Sequence, residues 1–351
     1  MSKPYPKDLY YVEGISHLCF NSDFSEMALV KKNHIIEIYK VPNIKDKSTH
    51  KLLYTLNMHS QYISGLDWHK KTNKLLSCSH DKTAFVWSYD KNKNNYVSDN
   101  VIASTKLGYL TCSWNNRGDK FVCGTSNRQL LIGYFNKEND WWSANNIKCH
   151  KSSVTCGKIS PNNLFVISGS IDMKVYISSC FIKDIDEQYV SNENKNLIKD
   201  FGTVIYEFEM NSWVNDVNWN ENDIGYASGQ NSIFAVLNFK NDKNYSFQLI
   251  HSPIVYIYPK GINEMYVVDY DRNIYLYECI DNKWNIKKEI SKNNLDDNNI
   301  NDENNNDKKG TLVVKMKKNP LCHPSNISSF NIHGNEIITS DLSGFIKFWN
   351  I

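Results

Sequence analysis

His59, Ser77 and Asp81 are the residue types of a hydrolytic triad. Acyl transfer by such a set needs the three groups within hydrogen-bond reach and an open oxyanion site beside the nucleophile. The same types recur as His150, Ser168 and Asp172, again with the His 22 residues before the Asp and the Ser four residues before it. A catalytic set should occur once, in one cleft, so a set that repeats with its spacing intact reads as a structural network. Cys149, beside His150, suggests a thiol nucleophile or a metal ligand, yet no further ligand stands at a zinc-like spacing. Cys149 is expected to end a strand.

The elements that must position these residues are strands. The run from His59 to Trp87 is HSQYISGLDWHKKTNKLLSCSHDKTAFVW, and that from His150 to Ser178 is HKSSVTCGKISPNNLFVISGSIDMKVYIS. Both alternate apolar stretches with Asn, Asp, Lys and Gly clusters, which is the pattern of a small antiparallel meander. The rhythm recurs over residues 12–41, 105–135, 213–239, 251–278 and 323–349, making seven units. One meander cannot bury both faces, whereas several packed radially can. Trp349, Asn350 and Ile351 finish the third strand of the last unit, and residues 5–12, with Leu9, Tyr10, Tyr11 and Val12, are expected to supply the fourth. Such a clasp removes exposed edges. The expected fold is all-β, a single seven-bladed β-propeller over residues 1–351 closed by an N-terminal strand.

Composition narrows the function classes. Lys plus Arg (40) and Asp plus Glu (38) nearly cancel, so no general basic field favours nucleic acid or an anionic membrane. The nine cysteines are odd in number and never form a Cys-x-x-Cys pair, which suits reduced thiols in the cytosol or nucleus. Residues 1–12 lack the apolar core of a secretory signal, and no apolar run is long enough to span a bilayer, so the expectation is a soluble intracellular protein. No Gly-rich phosphate loop of the Walker type is present, and no cofactor or metal is expected.

Trp141 and Trp142 are adjacent, so on a strand they point to opposite faces, one to the core and one toward the surface. An exposed Trp is a candidate partner contact, with packing against a neighbouring blade as the alternative. The doublets Lys31-Lys32 and Lys70-Lys71 offer charge to an acidic partner, or are simply solvated turn residues. Residues 186–200, DEQYVSNENKNLIKD, have the composition of a surface excursion.

His59, Ser77, Asp81 and Trp87 match the buried structural tetrad of the WD-repeat family position by position, and His150, Ser168 and Asp172 match three of its four positions, with Ser178 at the Trp position. The resemblance implies that the Asp accepts from the His and the turn backbone, the Ser bridges, and the Trp indole donates to the Ser. In the weaker units Asn127, Asn231 and Ser343 stand at Asp positions, Asp271 is followed by Tyr277, and His323, Thr339 and Trp349 keep tetrad types. A narrower resemblance rests on the run YFNKENDWW at residues 134–142, the run HLCFNSDFSEMALVKKNHIIEIY at 17–39, the step Gly65-Leu66-Asp67-Trp68, Phe181-Ile182-Lys183-Asp184, and Phe201-Gly202 before Trp213-Val214. These resemble the family of subunit 1 of the actin-related protein 2/3 complex, an actin-nucleating assembly.

That resemblance implies a non-catalytic structural subunit that holds actin-related proteins and other subunits of the complex for nucleation and branching of the actin filament. It implies a cytoplasmic, cytoskeleton-associated location, with the nucleus as the alternative. The rival reading is a WD-repeat adaptor that recruits other protein partners. The family carries an insertion with an apolar helical segment between blades six and seven; here residues 290–316 hold an Asn/Asp/Lys tract, too polar to fold alone. Leu312, Val313, Val314 and Met316 are the apolar residues there that could contact a partner.

Overall fold

The computed structural model describes residues 8–190, 197–241, 243–248, 252–281, 283–292 and 323–351. Seven four-stranded antiparallel sheets follow one another around a ring. Their innermost strands are His17–Phe20, Ile63–Trp68, Tyr109–Trp114, Val154–Ile159, Val214–Trp219, Ile254–Lys260 and Ile327–His333. Six of the seven innermost strands carry an irregularity in register near their start, as between Ile63 and Gly65 or Ile327 and Ser329. An extra residue at this place bends the strand where it crowds the axis.

Blade two shows why the residues take these places. Its second strand, Leu75–Ser79, is buried at every position because neighbouring blades cover both faces. Its fourth strand, Asn95–Asn100, buries only Tyr96. A strand between two blades is therefore buried throughout, its Ser77 and Ser79 hydroxyls hydrogen-bonded, whereas an outermost strand is mostly unburied, and the seven units legible in the sequence stop short of it. Seven apolar clusters form, each lying between successive blades. The cluster between blades two and three joins Leu76 and Val86 to Trp114, Phe121 and Trp142.

The seventh sheet is completed by Leu9–Tyr10, which pairs with Ile346 and Phe345. Leu9 is buried beside Ile346 and Phe348, Tyr10 packs on Phe345, and Asp8 meets Lys347 at 3.0 Å. The ring also closes at its inner edge, where Leu18 N donates to Ser329 Oγ (2.9 Å) and Asn331 Nδ2 donates to Leu18 O (3.2 Å). Similar stitches join other blades: Trp114 N donates to Asp67 Oδ2 (2.8 Å), Thr155 Oγ1 to Val214 O (2.7 Å), and Ile257 N to Asp216 Oδ2 (3.1 Å). Innermost strands have no fifth neighbour, so side chains of adjacent blades satisfy their free backbone groups.

Candidate functional site

In blade two, His59 Nδ1 lies 3.2 Å from Asp81 Oδ2, His59 Nε2 lies 2.8 Å from Ser77 Oγ, and Trp87 Nε1 donates to the same Oγ at 2.9 Å. The pattern assigns the proton: His59 donates from Nδ1, and the Ser77 hydroxyl donates to Nε2 while accepting from the indole. Asp81 also accepts from Ser60 N (2.7 Å) and Thr83 N (2.9 Å), which fixes the turn. Burial pushes the His59 imidazole below its ordinary pKa, against the pull of Asp81. Burial alone would raise Asp81, but hydrogen bonds from Thr83 and Ser60 outweigh it and hold the carboxyl below its ordinary value. Ser77 is fully buried, and its hydroxyl is held between imidazole and indole, so no face of it is open to a substrate.

Blade four repeats the arrangement, with His150 Nδ1 3.1 Å from Asp172 Oδ2 and His150 Nε2 2.9 Å from Ser168 Oγ. Ser178, at the Trp position, is buried. The half-buried Cys149 does not end a strand: Trp141–Ile147 stops two residues earlier. Burial pushes its thiol up to about 11, the opposite of what a thiolate nucleophile needs.

Blade seven requires a correction. The acid of its tetrad is Asp341, not Ser343: His323 Nδ1 lies 2.9 Å from Asp341 Oδ2, His323 Nε2 2.6 Å from Thr339 Oγ1, and Trp349 Nε1 2.7 Å from Thr339 Oγ1. The carboxylate sits at the end of the second strand instead of in the turn, and Ser343 N donates to it (2.9 Å). Blade six makes the same move, since Asp269, not Asp271, accepts from Asn273 N at 2.8 Å. In blade five, Asn231 Oδ1 accepts from Ser212 Oγ (2.8 Å) and Ile233 N (3.3 Å). In blade three, Asn127 reaches Gln129 Oε1 (3.2 Å).

Trp142, offered above as a partner contact, is core. It is 1% exposed and packs edge-on against Trp114 at 5.4 Å between ring centres. Trp141, on the opposite face of the strand, is 43% exposed, and its indole donates to Ser143 Oγ at 3.0 Å. Ser143 is bridged in parallel to Ile102, which is 52% exposed. Paired residues share a face, so Ile102, Ser143 and Trp141 form one partly apolar patch on the outer rim of blade three. Leu312, Val313, Val314 and Met316 lie outside the described residues. Ile290 and Ser291, the first residues of the 290–316 segment, are buried against blades six and seven.

Residues 186–200 begin with an anchor that sequence reasoning missed. Lys31 and Lys70 have local partners, Glu37 at 2.8 Å and the Phe24 ring at 5.0 Å, but Lys120 and Asp186 pair at 2.7 Å with both side chains fully buried. Lys120 Nζ also donates to the carbonyls of Asn163 (2.7 Å) and Cys180 (3.0 Å), and Asp186 accepts from Ile182 N (2.7 Å) and from Arg117. The Arg117 guanidinium stacks on the Tyr189 ring at 4.3 Å. The network fixes the connection between the third and fourth strands of blade four against blade three.

Among the described residues no helix is long and apolar enough to cross a membrane. The family profile for the WD domain, G-beta repeat, matches residues 50–88 and 141–177. Actin-related protein 2/3 complex subunit 1A of Arabidopsis thaliana is 31% identical over 230 residues, covering 64% of this chain and 59% of the relative. Subunit 1A-A of Xenopus laevis is 28% identical over 238 residues (66% and 62%), and subunit 1 of Saccharomyces cerevisiae 26% identical over 285 residues (79% and 71%). The chain thus spans about three fifths of the length of the plant and frog relatives it matches. The chain is a seven-bladed WD-repeat β-propeller that resembles subunit 1 of the actin-related protein 2/3 complex.

Proposed function

We propose that this chain is a non-catalytic structural subunit of an actin-related protein 2/3 complex, holding actin-related proteins and other subunits in the geometry that nucleates a branch on an actin filament. The observation that carries the reading is the run of similarity to subunit 1 in plants, frog and yeasts. The physical basis is rigidity: seven blades closed by Leu9–Tyr10 form a platform whose rims keep fixed positions. Trp141 and Ile102 on the rim of blade three are proposed as one partner contact, because few apolar anchors dominate such interfaces. Leu312, Val313, Val314 and Met316 are proposed as a second anchor. The location that follows is cytoplasmic and cytoskeleton-associated.

Capture of the tagged full chain from native extract, with bound proteins identified by mass spectrometry, tests the reading. Actin-related proteins and the other subunits are the expected set. A capture that holds only unrelated partners would favour the adaptor reading instead.

A further inference from the structure

The innermost strands run the same way around the ring and the second strands return, so the turns between them share one end of the propeller, opposite the hairpins that join second to third strands. At this end the ring holds a cavity of about 610 Å³. Five consecutive blades, two to six, line it with the last residues of their innermost strands and the turns that follow.

On its wall the side chains around Lys158 are spent on one another. Asp67 accepts from Trp114 N (2.8 Å) and Ser113 Oγ (3.1 Å), while Asn218 donates to Ile257 O (3.1 Å) and accepts from Trp219 N (2.9 Å). Asp216, the next carboxylate of the innermost strands, is held by Val217 N (2.9 Å) and Ile257 N (3.1 Å). Lys158 is different. Its half-buried ammonium donates to Ser113 Oγ at 2.7 Å, and among the described residues no carboxylate lies within ion-pair distance of it. An ammonium has three protons to donate, so Lys158 keeps donors for a further acceptor. Much of the remaining wall is aromatic: Trp68, Trp114 and Trp219 border the cavity, and Tyr258 is 44% exposed on it. A second hollow of about 300 Å³ shares Tyr258, Pro259 and Gly261 and continues to Ile332 and Ile351.

We infer that this cavity binds a small organic anion, with its carboxylate or phosphate on Lys158 and a flat apolar body against Tyr258 and the tryptophans. Sites for such molecules hold about 300–1,000 Å³ and combine apolar and aromatic walls with a few placed polar groups. A half-buried ammonium with donors to spare forms a charge-assisted hydrogen bond without first giving up a partner. A cationic ligand would instead meet Lys70, Lys71 and Lys158, with Asp67 already engaged and only Glu221 exposed on the rim. The inference does not depend on the assembly in which the chain works.

The test titrates the full chain calorimetrically with indole-3-acetate, with phenyl phosphate, and with the neutral indole-3-acetamide. At least one anion should bind with a dissociation constant below about 1 mM, and the amide about tenfold more weakly than the acetate. Whichever anion binds more tightly tells carboxylate from phosphate. Lys158→Gln, which keeps a donor to Ser113, should weaken the anions about tenfold, Lys158→Arg should retain them, and Tyr258→Ser should cause a separate loss. The control, Lys174→Gln, removes the same charge from the third strand of blade four and should leave binding unchanged. Absence of saturable binding by either anion would overturn the inference, as would equal binding of acetate and amide, or anion binding that survives Lys158→Gln undiminished. Should Lys158→Gln melt at lower temperature than the unaltered chain, the comparison of acetate with amide on the unaltered chain decides.

Discussion

Lys120 and Asp186 meet at 2.7 Å with neither side chain reached by solvent. Removing one member of such a pair leaves a buried charge without its partner, which costs about 3–5 kcal/mol. Asp186→Asn should therefore destabilise by about that amount, since the buried Lys120 loses the carboxylate it pairs with, and Lys120→Met should cost less because Arg117 still pairs with Asp186. Lys120→Met combined with Asp186→Asn should recover part of the loss. Urea denaturation of the three variants checks this; additive costs would show that the two residues do not act as a pair.

In blade seven stability should separate the buried Asp341 from the half-buried Ser343. Asp81→Ala should cost about 2–4 kcal/mol, since His59 and the turn N–H groups lose their acceptor. Asp341→Ala should cost about as much, while Ser343→Ala should change stability by less than about 0.5 kcal/mol. Thermal melts of the two blade-seven variants decide which residue is the acid of that blade; the opposite ranking would restore Ser343.

Acid should loosen the ring in two stages. Burial holds His59 and His323 below the ordinary histidine value, so their neutral forms stabilise the fold fully above about pH 6.5, and that stability declines as pH falls below it. Asp81, Asp172 and Asp341 are also held below their ordinary value, burial being outweighed by hydrogen bonds, so their contribution is lost at lower pH, as it falls through the carboxylate range. Asp216 runs the other way: desolvation in the channel wall raises it to about 6, so its protonation offsets part of the first stage. A melting temperature that declines below about pH 6.5 and more steeply below about pH 4 is the expected profile. A flat profile down to pH 4 would show that the histidines are not tied to folding.

Deletion of residues 1–12 removes the outer strand of blade seven and uncovers Phe345–Asn350. An exposed strand edge pairs with other chains, so the truncated protein should aggregate at concentrations where the full chain is monomeric. Light scattering and size exclusion distinguish the two. A monomeric truncation with unchanged melting would contradict a closing role for Leu9–Tyr10.

What the sequence made legible followed from periodicity. Blades two and four stand out because His, Ser and Asp keep one spacing, and the closing strand follows from a last unit that is one strand short. Asp341 escaped because its carboxylate reaches the same His323 nitrogen from two positions earlier than the repeat prescribes. The outer strand Asn95–Asn100 escaped because it buries only Tyr96 and so carries no apolar alternation. Lys120 and Asp186 are 66 residues apart, and nothing local marks either as buried.

As a structural subunit, this chain should be a stoichiometric member of an actin-related assembly. Native extract separated on a density gradient, with the chain and the actin-related proteins quantified in every fraction by mass spectrometry, tests it most directly. One peak is expected, far heavier than the free chain, in which the chain and each actin-related protein rise and fall together at a constant ratio near one to one. A chain that sediments alone, or with proteins unrelated to actin while the actin-related proteins peak elsewhere, would contradict it.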